Sequence, residues 1–439
     1  MVNNTQNIYD VVIFGGGVAG CASAYIAEKL NLKALLIEKQ TLLGGTASLG
    51  LVTPCMNTED KNLNNEFYFD LIDYAKKYDS NITYGDNNSG WFNPIVLPLV
   101  LENMLKDKNV DILYETEVND IKSVENANYN FVFNVSHKKQ KNNNFIKNDN
   151  NILSIPIGSK YIVDGTGSGK ISKILGANFL EKNNFQPNSL RFVLSGVNIS
   201  EFIKFLSEID DNKEHTNFYV IDNEPHFTTA YTWDKAQNWA LEPYFGQALL
   251  DNVLHEGDLQ YFQVFSVAGM PNSVTFNCPR LNNDDKDFLS YSNSIIEGHS
   301  AIFRLYNFCK KYLKGFEDAY ISSISPIVGK REEDRVECEY TFSIDDILRQ
   351  EPFNDAVLWS NYPIDIHSNK KDESKLDKIP TYSFPLRALK VKGIDYLYAI
   401  GKCCGADFNT HASLRIQRSC MSMGEAVSRD IAEKLSLNN

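Results

Sequence analysis

Val11-Val12-Ile13-Phe14-Gly15-Gly16-Gly17-Val18-Ala19-Gly20 is the stretch on which the fold turns. Its first four residues are β-branched or aromatic and suit a short buried strand. Gly15, Gly17 and Gly20 then fill a G-x-G-x-x-G pattern, and Ala19, Ala22, Ile26 and Leu30 recur at helical spacing. Each glycine has a task in such a strand–turn–helix. Gly15 permits the tight turn, Gly17 lets a pyrophosphate approach the backbone, and Gly20 lets the helix lie close on the strand. With Gly16, Val18 and Ala19 between them, the N–H groups of the first helical turn face the phosphates, aided by the helix dipole. A second strand, Ala34-Leu35-Leu36-Ile37, ends at Glu38, an acceptor placed for a ribose hydroxyl pair, with Lys39 next to it.

Further glycine turns follow. Gly44-Gly45-Thr46 comes a few residues after the acid and combines close backbone approach with a hydroxyl donor. The strand Lys160-Tyr161-Ile162-Val163-Asp164 feeds directly into Gly165-Thr166-Gly167, with Asp164 read as the cap of that turn. A last apolar strand runs into Gly401-Lys402, and a helix is expected over about 413–435. Between these, a helix is read at 94–106 and strands at 110–113, 117–124 (which carries Val118) and 130–135. The Asn- and Lys-rich run 138–151 has almost nothing to bury and reads as a solvated hairpin tip.

The texture changes from about 186 to 382, where aromatic strands alternate with irregular polar stretches and a helix is read at 290–314. No second dinucleotide fingerprint appears there. The expected architecture is α/β: a Rossmann-like, dinucleotide-binding domain with a parallel sheet and an antiparallel β-meander, plus a mixed α+β substrate or cap domain. The first is discontinuous, 1–185 with 383–439, and the second spans 186–382, with part of 51–100 at the cleft.

Two domains also suit 439 residues, more than one core usually holds. A formal net charge of −13 argues against nucleic acid and anionic membrane surfaces as partners. No apolar run is long enough to span a bilayer, and residues 1–7 have neither the basic nor the apolar part of a secretory signal. Eight cysteines without zinc-like spacing then imply reduced thiols, a cytoplasmic setting and no metal site.

These blocks together resemble the FAD-dependent oxidoreductases of the glutathione-reductase-like superfamily, in particular the broad FAD-dependent oxidoreductase family of bacteria. The resemblance covers nearly the whole chain. It rests on Gly15, Gly17, Gly20, Glu38 and Gly44-Gly45-Thr46, on Val163-Asp164-Gly165-Thr166-Gly167, and on Ile327-Val328-Gly329-Lys330-Arg331-Glu332-Glu333. It continues through Phe384-Pro385-Leu386-Arg387, Ile400-Gly401-Lys402-Cys403 and His411-Ala412-Ser413-Leu414-Arg415 to Gly424-Glu425-Ala426. Lys402 stands where the family usually has arginine, and Glu425 where glutamine is commoner.

The resemblance implies FAD lying extended, its adenosine near Glu38 and its pyrophosphate on Gly15 to Gly20. It places the isoalloxazine between Gly44-Gly45-Thr46 and a helix opening at Ser413-Leu414-Arg415. Val118, Gly165, Thr166, Gly167, Gly401 and Lys402 complete the expected cofactor contacts. His411 is the candidate for taking a proton as hydride leaves substrate, with a structural, helix-capping role as the alternative. Arg331 and Arg387, with Arg415, are candidates for holding a carboxylate, against the alternative of structural ion pairs. Cys403-Cys404 raises a redox role that ordinary packing of buried thiols opposes.

The function expected is an FAD-dependent oxidoreductase moving a hydride between a small organic substrate and flavin N5, with an electron acceptor the sequence does not name. A flavoprotein module with structural or sensory FAD is one alternative, and an NAD-dependent dehydrogenase is another. Homo-oligomerisation stays open.

Overall fold

The computed structural model describes residues 7–58, 63–83, 87–106, 108–138, 152–182, 185–210, 216–231, 241–259, 262–281, 287–366 and 379–437. The run 139–151 and His367 lie outside these residues. Strand β1 (Ile8–Phe14) sits between β2 (Ala34–Ile37) and the long strand Ile152–Asp164, parallel to both. Val11 and Ile13 face one core, while Val12 and Phe14 face another. That period-two division of an unbroken apolar run marks a strand covered on both faces. One face takes helix α1 (Val18–Lys29) and the helices Glu66–Lys76, Leu97–Leu105 and Gln417–Leu437.

The register matters more for function than the strand count. Leu113, Ile37, Phe14, Asp164 and Ala399 are paired in series, so five parallel strands end on one line. Ligands of open α/β sheets gather at that carboxyl edge. Strand Ile152–Asp164 serves two purposes: its second half joins the parallel set, and its first half pairs antiparallel with Phe131–Lys138, which pairs in turn with Ile121–Ser123. This is the expected Rossmann-like sheet with its meander.

A second sheet has six strands, all antiparallel, in the order Thr216–Ile221, Glu224–Tyr231, Phe262–Val267, Met270–Phe276, Phe192–Ser195, Tyr320–Ile324. Its core is aromatic. Phe192 stacks on Phe276 at 4.4 Å, and Phe202, Phe227, Phe262 and Phe308 fill the space below the helices Ile199–Ile209 and Ser290–Tyr312. Beyond residue 330 the chain rejoins the first sheet: Val336 and Cys338 enter one of its cores, and Phe342, Ile347, Phe353 and Leu358 enter the other. The sequence expectation set that return at 383.

One expected helix is divided. In place of a single helix over 413–435 there are two, Phe408–Leu414 and Gln417–Leu437, broken at Arg415 and Ile416. Asp407 caps the first, its Oδ1 accepting from the Thr410 N–H at 2.7 Å. Ser413 and Leu414 therefore end a helix instead of opening one, and both are fully buried.

Candidate functional site

The site is assembled from the turns that follow the aligned strand ends. Gly15 has a φ of +97°, and a Cβ there would lie 2.4 Å from the Gly165 carbonyl oxygen, so both chirality and packing demand glycine. A Cβ on Gly20 would lie 1.9 Å from the Gly15 oxygen, which is how closely α1 rests on its own turn. Gly17 differs from both. A Cβ there would meet nothing within 4 Å. As N-cap of α1 it offers no side chain to the first-turn N–H groups, and that turn contains no acid. The donors are left for something outside the fold.

Glu38 closes the turn from the side. It is buried, and its two carboxylate oxygens accept from the Gly16 N–H at 2.6 Å and the Gln40 N–H at 2.8 Å. Each oxygen retains acceptor capacity toward the cleft. The Gly44 N–H donates to the Gly16 oxygen at 2.7 Å, so the first two glycine turns are laced together. Gly16 itself is spent on this lacing and does not line the cleft. Asp164 is fully buried and caps the third turn: Oδ1 accepts from the Thr166 N–H and hydroxyl, and Oδ2 from the Ser172 N–H and hydroxyl, all within 3.1 Å.

These turns border one cleft of about 500 Å³. Of the residues expected at the cofactor, Gly15, Gly17, Val18, Ala19, Glu38, Lys39, Gly44, Gly45, Thr46, Val118, Gly165, Thr166, Gly167, Gly401, Lys402 and Arg415 line it. Gly20 supports it from behind, and Ser413 and Leu414 do not reach it. The opposite wall comes from Tyr291, Ile295, Ile327, Val328 and Lys330, on the side of the antiparallel sheet, and from Glu333 just after them. Leu49 lines the cleft, whereas the described residues of the 51–100 segment expected there contribute no lining residue. Lys402 Nζ donates to the Lys330 oxygen at 3.0 Å and lies 3.7 Å from Glu333, which ties the two walls together. Lys330 and Glu333 sit inside a block already singled out for Arg331. No strand or helix covers Lys330 to Glu333, so the turn of these two side chains toward the cleft is set by tertiary contacts such as those with Lys402.

The expected catalytic trio is scattered. His411 is fully buried, and its Nε2 lies 2.8 Å from the Lys402 oxygen. Burial, then repulsion from Arg415 and Arg335, pulls its imidazole down to about 3, so it is neutral at pH 7 with Nε2–H donating. It supports the Gly401-Lys402 turn from behind. Arg387 lies away from the cleft, paired with Asp355 at 3.0 Å and stacked on Tyr340 and Phe353. Arg331 is buried behind the cleft wall, donating to the Pro187 oxygen at 2.7 Å. Burial and the neighbouring Arg415 and Arg280 lower its guanidinium to about 9. All eight cysteines are free and buried, and desolvation pushes the Cys403 and Cys404 thiols well up, which opposes thiolate chemistry. Among the described residues no cluster of three or more His, Cys, Asp or Glu is arranged to hold a metal.

A bare helix N-terminus, an acid at the second strand and a long cleft fed by three glycine turns define a dinucleotide-binding protein built for an extended ligand. The chain belongs to the FAD dependent oxidoreductase family, whose pattern matches residues 10–433. Its cofactor is accordingly FAD, and the protein is an enzyme of oxidation and reduction. The NAD-only alternative is thereby set aside.

Ferredoxin–NADP reductase 3 of Lysinibacillus sphaericus (strain C3-41) is 39% identical over 80 residues, which is 18% of this chain and 23% of that protein's length. Among solved structures, p-nitrophenol 4-monooxygenase from Pseudomonas putida DLL-E4 aligns over 98% of this chain and 81% of its own, at 9% identity and a TM-score of 0.47. A geranylgeranyl bacteriochlorophyll reductase-like protein from Thermoplasma acidophilum covers 98% of this chain and 80% of its own, at 11% identity and a TM-score of 0.42. No helix among the described residues is long and apolar enough to cross a membrane.

Proposed function

We propose that this oxidoreductase moves a hydride between a carbon of a small organic substrate and N5 of its flavin, and that an acceptor or donor yet to be identified completes the cycle. The observation that carries this reading is the single cleft running from Glu38 past the bare α1 N-terminus to Arg415 and Gln417, with the second unit as its far wall. When bound, FAD supplies the electron-accepting ring. The chain supplies everything around it.

The first-turn N–H groups of α1 hold the pyrophosphate, and Glu38 accepts from the ribose hydroxyls. Lys402 and Arg415 line the cleft and favour negative charge there. His411, neutral and bonded to the Lys402 carbonyl, acts as a positioning residue for that turn. The apolar Ile327 and Val328 exclude water from the same wall. Placement within the glutathione-reductase-like superfamily belongs to this proposal too, supported by the return of the chain to the first sheet after residue 330. Core membership supports residues 7–185 with 336–437 as the FAD-binding unit and 186–330 as the substrate-side unit.

Purified protein is expected to be yellow and to release FAD on acid or heat treatment. Under anaerobic conditions, one member of a metabolite panel should bleach that colour. A protein that stays colourless after incubation with FAD would sink the reading. Yellow protein that no metabolite and no nicotinamide nucleotide reduces would leave the flavin in a structural role.

A further inference from the structure

A second cavity, of about 420 Å³, shares no lining residue with the FAD cleft. It lies against the strands Ile152–Asp164 and Leu397–Ala399, back from the ends that carry Gly165 and Gly401. Those strands run parallel, with Leu397 beside Ile162 and Ala399 beside Asp164. Buried Tyr161 and Tyr398 form the inner surface, and exposed Tyr396 stands at the rim. Tyr396 meets Tyr161 edge to face at 5.3 Å, and Tyr398 lies 6.4 Å from Tyr161. The rim position is held by the backbone: Tyr396 has a φ of +64°, and its carbonyl accepts from the Ile162 N–H at 3.0 Å.

Two lysines line the cavity, and both are engaged beneath it. Lys434 Nζ donates to the Tyr398 hydroxyl at 2.7 Å and to Asp430 at 2.9 Å, while Lys390 Nζ lies 3.9 Å from Asp430. The Tyr398 hydroxyl donates to the same carboxylate. Other polar groups of the lining are left over. Tyr161 is 3% exposed, yet its hydroxyl has no hydrogen-bond partner among the described residues. Burial, then Tyr396 and Asp430, pushes this phenol up to about 12, so it keeps its proton at pH 7. The Glu339 and Asp395 carboxylates, both exposed, make no ion pair or hydrogen bond among the described residues.

Three carboxylates against two ammonium groups leave the cavity and its underside net negative. Aromatic faces and carboxylates both attract cations, and the free oxygens accept from N–H groups. Among the described residues no cluster of three or more His, Cys, Asp or Glu is arranged for a metal, so the chemistry favours an organic cation over a metal ion.

We propose that this cavity binds a small organic ammonium compound. Glu339, Asp395 and the Tyr161 hydroxyl receive its N–H groups, and Tyr396 and Tyr398 cover its carbon chain. The assignment does not depend on the flavin reading.

The test is a calorimetric titration of the purified holoprotein at low salt with butane-1,4-diamine, against butane-1,4-diol, succinate and sodium chloride of equal ionic strength. The diamine should bind saturably, one per chain, and raise Tm, while the controls do neither. Glu339→Gln and Tyr396→Asn should each retain FAD and weaken that binding about tenfold. Both positions are exposed, and asparagine tolerates the left-handed backbone at 396. Glu125→Gln, an exposed acid outside the cavity, should bind the diamine like wild type. No saturable binding, an equal response to the diol, or a stronger response to succinate would each overturn the site. So would unchanged binding in Glu339→Gln and Tyr396→Asn. A loss in Glu125→Gln as large as in Glu339→Gln would overturn it as well, by showing only diffuse attraction to a chain of net charge −13.

Discussion

Gly17 and Gly20 carry the same letter of one motif for opposite reasons. A methyl group on Gly20 would press against the Gly15 oxygen, whereas one on Gly17 would enter open space. The Gly17 backbone, at φ −65° and ψ 172°, is ordinary extended geometry that alanine tolerates. Gly20→Ala is therefore expected to lower the stability of the flavin-free protein by about 3 kcal/mol. Gly17→Ala should leave its Tm within a degree or two of wild type, yet weaken FAD binding about tenfold or more by displacing the pyrophosphate from charge-assisted donors. Thermal melts and a flavin fluorescence titration distinguish the two. Equal Tm losses would mean that Gly17 serves packing after all.

His411 carries a second expectation at this scale. Its imidazole falls from an unfolded value of 6.5 to about 3 in the fold, so between those values the unfolded chain takes up a proton that the native chain refuses. The neutral ring therefore contributes stability that is fully present above pH 6.5 and is lost as pH falls toward 3. The steepest slope is about 1.4 kcal/mol per pH unit for one proton. Urea melts from pH 7 to 4 should show wild type losing stability faster than His411→Asn. Parallel curves would contradict the burial of a neutral ring.

Among the elements, the crossing of α1 by Gln417–Leu437 decides how the phosphate-binding turn is held. A Cβ on Gly424 would lie 2.0 Å from the Ala19 oxygen, and the Ser428 hydroxyl donates to the Ser23 oxygen at 2.7 Å. Gly424→Ala is expected to cost about 3 kcal/mol and to weaken FAD binding with it, since Ala19 lines the cleft. Gly246→Ala, in a helix where a Cβ meets nothing within 4 Å, should stabilise by about 0.5–1 kcal/mol and leave FAD untouched. Differential calorimetry on both variants checks the contrast. The Glu425 carboxylate beside this crossing accepts from the Phe67 N–H at 3.1 Å and meets Arg429 at 2.8 Å. An acid at the start of Glu66–Lys76 has that local reason.

Elements governed by short-range rules were readable in the residues alone. β1, β2 and Val110–Leu113 follow from apolar runs, and the turns follow from glycines with positive φ or close contacts. The break at Arg415 and Ile416 was not readable, because no proline or glycine marks it and apolar residues run across it. It arises from Asp407 capping one helix and Arg415 being drawn to Asp365. His411 looked like a proton carrier because sequence shows a titratable group but not its burial. Tyr161, Glu339 and Tyr396 converge from distant segments brought together by strand pairing, which spacing along the chain cannot show.

For the whole molecule, two sheets of different construction meet along one channel. The parallel sheet presents backbone donors at its carboxyl edge, and the antiparallel unit presents an apolar wall with Arg331 behind it. Neither alone encloses a ligand. Closure depends on contacts such as Lys402 to Lys330 and Arg191 to Leu51, which join segments remote in the chain.

That channel also has an order of assembly. Gly401, Lys402, Arg415, Gln417 and Cys420 form one of its sides, and strand Leu397–Ala399 completes the parallel set that begins with β1. During synthesis a ribosome releases the glycine turn of β1 well before these residues. The nascent turn then waits with exposed amide donors and no opposing wall, so tight FAD capture follows release of the C-terminal helices and cannot template the folding of the N-terminal half. Cofactor supply would thus act once this downstream side of the channel is in place, as a lock on its structure.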